Sequence, residues 1–172
     1  YWAFFVLLIV FIVGMFNLFN FMDGINGMLG ITGLVLFLSL LAVNNLVPGG
    51  PYMSNDYLIF VTIGLLIFLF CNFRNKALCF AGDVGAISLA LIALYPLMRI
   101  ISGSANIIYL FLLTPYFIEA GYTIIQRAFN LENIFKPHRI HLFQLLCNES
   151  SFTHLQVSTI YGTLQLFISI LV

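Results

Sequence analysis

Charge is nearly absent from this chain of 172 residues: Lys and Arg together number six, Asp and Glu six, and charged residues make up 7% of the whole. Hydrophobic residues make up 62% and the mean hydropathy is +1.10, which excludes a water-soluble domain and predicts an integral membrane protein. The formal net charge is zero, so it names no partner, and nothing points to nucleic acid. Cysteine is scarce too. Cys71, Cys79 and Cys147 form no C-x-x-C pair and read as reduced thiols with no metal role. Repeats of 20 to 50 residues and low-complexity tails are missing, as is the period-two alternation of barrel strands. There is no initiator Met, and apolar runs recur to the last residue, which excludes a lone signal peptide and predicts a piece of a longer chain.

What is present is a series of about six apolar runs, at residues 1–19, 28–43, 57–71, 84–101, 107–125 and 155–172. Each is long enough for a helix that satisfies its own backbone in lipid, so an all-α, polytopic helical bundle is expected. Six consecutive spans put the segments near Asn20, 71–83 and 126–154 on one side and 44–56 and 102–106 on the other. The first set holds Arg74, Lys76, Arg127, Lys136 and Arg139, and only Arg99 lies near the opposite face. By the positive-inside rule the first set is cytoplasmic. The Pro-Gly-Gly-Pro run at Pro48 to Pro51 reads as an exterior hairpin connector, with Asn44 and Asn45 as polar residues at a helix end.

The remaining polar residues gather on that same side in three clusters. NLFNFMDGINGMLG holds Asn17, Asn20, Asp23 and Asn26 among Gly24, Gly27 and Gly30. CNFRNKALCFAGDVGAISLA holds Asp83 between Gly82 and Gly85, and KPHRIHLFQLLCNES holds His138, Arg139 and His141. Carboxylates, amides and a basic group facing one compartment suit a metal and an anionic substrate. Each cluster has a plainer use. Glycines three apart bring backbone close to a ligand or let helices pack. Asp23 at a membrane edge is functional by default or an exposed interfacial group, and Asp83 is a helix cap or a hard oxygen ligand for Mg²⁺. The His-Arg-Ile-His run is a solvated basic loop beside acidic lipid, or a set of donors to a pyrophosphate.

Asn-Leu-Phe-Asn-Phe-Met-Asp-Gly-Ile-Asn-Gly-Met closely resembles the N-x-x-N-x-x-D-G-x-[DN]-G-[LM] signature of the polyprenyl-phosphate N-acetylhexosamine-1-phosphate transferases, within glycosyltransferase family 4. Ala-Gly-Asp-Val-Gly resembles their G-D-x-G motif, and His-Arg-Ile-His-Leu is similar to their late loop. The resemblance covers residues 17–142. It implies transfer of N-acetylhexosamine-1-phosphate from a UDP-sugar to undecaprenyl or another polyprenyl phosphate, with release of UMP and a need for Mg²⁺.

Carried over by position, Asp83 becomes the metal ligand and a catalytic group with Asp23. Asn17, Asn20, Asn26, Lys76, His138, Arg139 and His141 become substrate contacts, while Glu119 stands where relatives carry an acidic residue and equally suits a pairing with Arg127 or another polar group. Asn26 replaces the second Asp that many members have, and Ala86 replaces a common Ser. The family's adjacent Asp pair is missing, which predicts that residues 1–172 are the C-terminal part of one polytopic transferase domain, with further spans and that motif upstream and little activity by themselves.

The implied setting is a bacterial inner membrane with cytoplasmic site loops, in synthesis of O-antigen, lipopolysaccharide or another cell-wall glycan; a homodimer is left open. The late loop lacks the three-histidine run of the phospho-N-acetylmuramoyl-pentapeptide transferases, which are the nearest alternative. A secondary transporter or a non-catalytic membrane subunit is the alternative of another class.

Overall fold

The computed structural model describes residues 2–131 and 141–172. It is all-helical, with no strand among the described residues. The helices are α1 (Trp2–Met22), α2 (Met28–Leu46), α3 (Asn55–Asn72), α4 (Gly82–Ser104), α5 (Thr114–Phe129), α6 (Leu142–Glu149) and α7 (His154–Leu171). A 3-10 helix, Ile107–Leu113, leads into α5. Five segments are long and apolar enough to cross a membrane: α1 to α4, and the 3-10 helix joined with α5. This is a polytopic helical membrane bundle. The sixth expected span, α7, matches α3 in length but carries Gln156, Ser158 and Gln165, and it falls outside that set.

Three boundaries depart from the sequence pattern. The first helix continues to Met22, so Asn20 lies within it as Asn17 does; the Asn17 amide is satisfied by donating to the Val13 carbonyl at 3.0 Å. The fifth span changes from 3-10 to α-helix at Thr114, where Pro115 in the first turn needs no backbone hydrogen. The long connection after α5 contains α6, whose N-cap is His141: the His141 side chain and Gln144 form a reciprocal capping pair.

Helix α2 is the centre of the bundle and packs most extensively on α7 and α3. Lipid is as apolar as Leu, so helices gain association energy from close approach rather than from burial alone. Gly162 of α7 supplies such an approach, since a Cβ there would meet Ile31 of α2 at 2.9 Å. Phe19 of α1 stacks on Tyr116 of α5 with ring centroids 4.5 Å apart, and the Tyr116 hydroxyl donates to Thr32 of α2 at 3.2 Å. Phe60, Phe70 and Phe167 are exposed on the outside, as a lipid-facing surface requires.

The connections alternate between two ends of the bundle. At one end Asn44 is fully buried and organises the 47–54 connection: its Oδ1 accepts from the Tyr52 and Met53 amides at 2.9 and 3.2 Å, and its Nδ2 donates to Asn55 at 2.8 Å. Arg99 donates to the Tyr52 carbonyl there at 3.2 Å. The opposite end carries the polar clusters.

Candidate functional site

The turn at residues 23–27, between α1 and α2, is the hub of that end. Gly27 has φ of 86°, a left-handed conformation that side chains disfavour, and an added Cβ would overlap the Phe73 ring. Its amide donates to Asn72 Oδ1 at 2.6 Å, and Asn72 Nδ2 donates in turn to the Cys79 carbonyl at 2.8 Å. Asn26 is buried, and its amide donates to the Arg74 and Asn75 carbonyls at 2.8 and 3.3 Å. Its own carbonyl accepts from Ser158 of α7 at 2.7 Å. The turn is thereby fixed to α3, to the 73–81 connection and to α7.

Asp23 joins the first cluster to the second. Its Oδ2 accepts from the Gly82 amide at 2.7 Å, at the first residue of α4, one position before Asp83. An amide at a helix N-terminus has no intrahelical partner, so an anion is the expected occupant. Partial burial pushes the Asp23 carboxyl up to about 6; the Gly82 amide opposes the rise and the negative charge of Asp83 adds to it. Asp83 itself is exposed in the first turn of α4, whose N-cap is Ala81 and has no side-chain cap, so Asp83 is not the capping residue.

The first cluster also meets the third. A Cβ at Gly24 would lie 2.5 Å from the Phe143 ring, and the Phe21 ring is 4.9 Å from the His141 imidazole. His141 is buried and stacks on Phe143 at 5.5 Å. Asp23 and Gly82 are thus in contact, with Asp83 beside them, Asn26 lies in the same turn, and His141 packs against Phe21 and Phe143, which flank that turn. Asn20 adds its carbonyl, which accepts from the Asp23 amide at 3.2 Å; its side chain makes no hydrogen bond among the described residues. Asn17 lies on an exposed face of α1, and Lys76 is exposed in the 73–81 connection. His138 and Arg139, with Lys136, lie outside the described residues.

Asn72, Thr123, Ser158 and Tyr161 were not singled out by the sequence pattern. Asn72 had a readable signal, an amide ending an apolar run beside Arg74, Asn75 and Lys76. Thr123, Ser158 and Tyr161 had none, since hydroxyl residues are ordinary in membrane helices.

The described residues hold no group of three or more His, Cys, Asp or Glu arranged for a metal. Mg²⁺ does not need one, because it keeps waters and takes one or two carboxylates together with substrate phosphates. Exposed Asp83 next to half-buried Asp23 fits that donor set.

A comparison with curated proteins gave no match. Residues 1–101, which include the first two clusters and the hub that joins them, match the family described as Glycosyl transferase family 4. That span is more than half of the chain, and the chain belongs to glycosyl transferase family 4.

Proposed function

We propose that this protein transfers N-acetylhexosamine-1-phosphate from a UDP-sugar to a polyprenyl phosphate, starting a lipid-linked glycan in a bacterial plasma membrane. The observation that carries the proposal is the Asp23 to Gly82 bond, which joins the first two polar clusters within the matched residues, with Asp83 exposed beside it. A water-soluble nucleotide sugar and a lipid phosphate can meet only at such an edge. Arg74 and Lys76 lie in the 73–81 connection at this end and Arg127 in the last turn of α5, which supports a cytoplasmic reading of it.

In the reaction an oxygen of the lipid phosphate forms a bond to the β-phosphorus of the UDP-sugar. The bond from that phosphorus to the bridging oxygen breaks, and UMP leaves with the bond's electron pair. Asp83, with Asp23 close by, would hold a Mg²⁺ ion, which would supply positive charge to offset that of the diphosphate. Asp23 holds the start of α4 in place through the Gly82 amide, so the two carboxylates keep a fixed relation. Asn20 shapes the nucleotide end, Asn26 fixes the turn that carries Asp23, and Arg139 supplies a forked donor for phosphate oxygens that Lys cannot copy.

The test is UMP release by the full chain in liposomes that contain undecaprenyl phosphate, with UDP-N-acetylglucosamine outside. Release that requires both substrates and Mg²⁺ is expected. Release of UMP without the lipid phosphate, or none with a panel of UDP-N-acetylhexosamines, would contradict the proposal.

A further inference from the structure

Arg99, near the end of α4, is the only Lys or Arg among the described residues at the end of the bundle opposite the polar clusters. It is exposed, and its guanidinium donates to the Tyr52 carbonyl at 3.2 Å but makes no other hydrogen bond or ion pair among the described residues. Asp56, in the first turn of α3 at the same end, accepts from Ser54 instead. A guanidinium carries five N–H donors in a planar fork that suits a phosphate, so most of this one is left for a partner outside the described chain.

Beside Arg99 a groove of about 300 Å³ runs between α1 and α4. Leu8 and Phe11 of α1 line one side, and Leu91 and Met98 of α4 the other. Ser102 lines it as well, three residues after Arg99 and therefore its neighbour on the helix surface. The Ser102 hydroxyl makes no hydrogen bond among the described residues, whereas Ser104 donates to the Ile100 carbonyl at 2.7 Å. Two donors thus stand at the outer end of an apolar channel. From Leu91 to Ser102 the channel follows α4 for about 16 Å at ~1.5 Å per residue, which is about half of a ~30 Å hydrocarbon core. It is one leaflet deep.

A free phosphate would leave the channel unfilled, and an uncharged lipid would leave the guanidinium without its counter-charge. A polyprenyl chain is much longer than the channel. We propose that this groove binds one acidic glycerophospholipid of the leaflet at that end, with an acyl chain between α1 and α4 and the phosphate on Arg99 and Ser102. The lipid braces the two helices whose other ends bring Asp23 to Gly82.

The test places the full chain in phosphatidylcholine vesicles with a trace of phosphatidylglycerol, or of phosphatidylcholine, that carries a photoreactive group on one acyl chain. Labelled residues are located by mass spectrometry of peptides. The phosphatidylglycerol probe is expected to label residues 8–12 and 91–98 about 10-fold more than the phosphatidylcholine probe, as one charge-assisted contact allows. Arg99→Gln should remove that excess. Leu91→Trp, which fills the groove from an exposed position, should remove the label of both probes there. Equal labelling by the two probes, or an undiminished excess in Arg99→Gln, overturns the charge contact; undiminished label in Leu91→Trp overturns the groove as the seat of the chain. Stronger label there from photoreactive undecaprenyl phosphate would make that lipid the occupant and overturn the proposal too. Should Arg99→Gln fail to fold, the two probes on the wild type and on Leu91→Trp still decide. UMP release plays no part in these measurements, so the proposal and the transfer reading stand or fall separately.

Discussion

Each end of the bundle is organised by a buried asparagine, and the two work differently. Asn44 spends its amide on Tyr52, Met53 and Asn55, all within 11 residues, and Asn45 and Asn55 exchange bonds beside it. Every bond of Asn44 serves closure of one connection, which Arg99 of α4 also holds from 47 residues away. Asn72 instead holds the Gly27 amide, 45 residues away in sequence, and Asn26 is held by Ser158 across 132 residues. At that end Asp83 stays exposed after the backbone is satisfied. Local closure builds a loop; long-range ties that leave a carboxylate exposed fit the proposed site.

The largest expected effect follows from that leftover charge. Asp83→Asn keeps shape but removes the charge a hard cation prefers, and UMP release should fall by about 100-fold or more with membrane expression unchanged. Near-normal turnover with the same Mg²⁺ requirement would remove Asp83 from the site.

Next come the two asparagines. Asn72→Ala and Asn44→Ala each orphan buried backbone groups at roughly 1–3 kcal/mol apiece, so both should lower the thermal midpoint in detergent. Only Asn72→Ala should also raise the KM for the UDP-sugar. An equal KM effect from Asn44→Ala would erase the distinction between the ends.

Gly27→Ala forces a side chain into a left-handed backbone and against Phe73, with an expected cost of about 1–3 kcal/mol in stability and a loss of turnover. Gly14→Ala, where a Cβ meets nothing within 4 Å, should change neither.

The smallest effect is electrostatic. With divalent cations chelated, Asp23 has a folded pKa of about 6 against 3.8 for the ordinary group. The folded state therefore binds more protons between these values, and stability falls as pH rises through that window. Asp23→Asn should flatten this slope, and the thermal midpoints of the two proteins should differ least below pH 3.8. An unchanged slope would show that Asp23 ionises as freely folded as unfolded.

Much of this was legible in the sequence, for physical reasons. Apolar runs reveal membrane helices because lipid offers the backbone no partner, and the parity of the runs put Asp23, Asp83 and His141 at one end, where the structure has them. Helix ends were less legible: Asn20 fell in the connection after the 1–19 run yet lies within α1, which continues to Met22. The break at Thr114 and the short α6 left no hydropathy signal. Asn26 read as a substrate group, and the structure shows its amide engaged with the Arg74 and Asn75 carbonyls. That engagement depends on where the 73–81 connection lies, which no local pattern encodes.

The most direct test of the account follows the phosphorus. UDP-N-acetylglucosamine labelled at the β-phosphate is given to the full chain in liposomes with undecaprenyl phosphate and Mg²⁺, and the organic and aqueous phases are separated. Transfer of a sugar phosphate predicts that the label enters the organic phase while unlabelled UMP appears in the water. Label recovered in the water as UDP, with sugar in the organic phase, would mean that the sugar moves without its phosphate and would contradict the account.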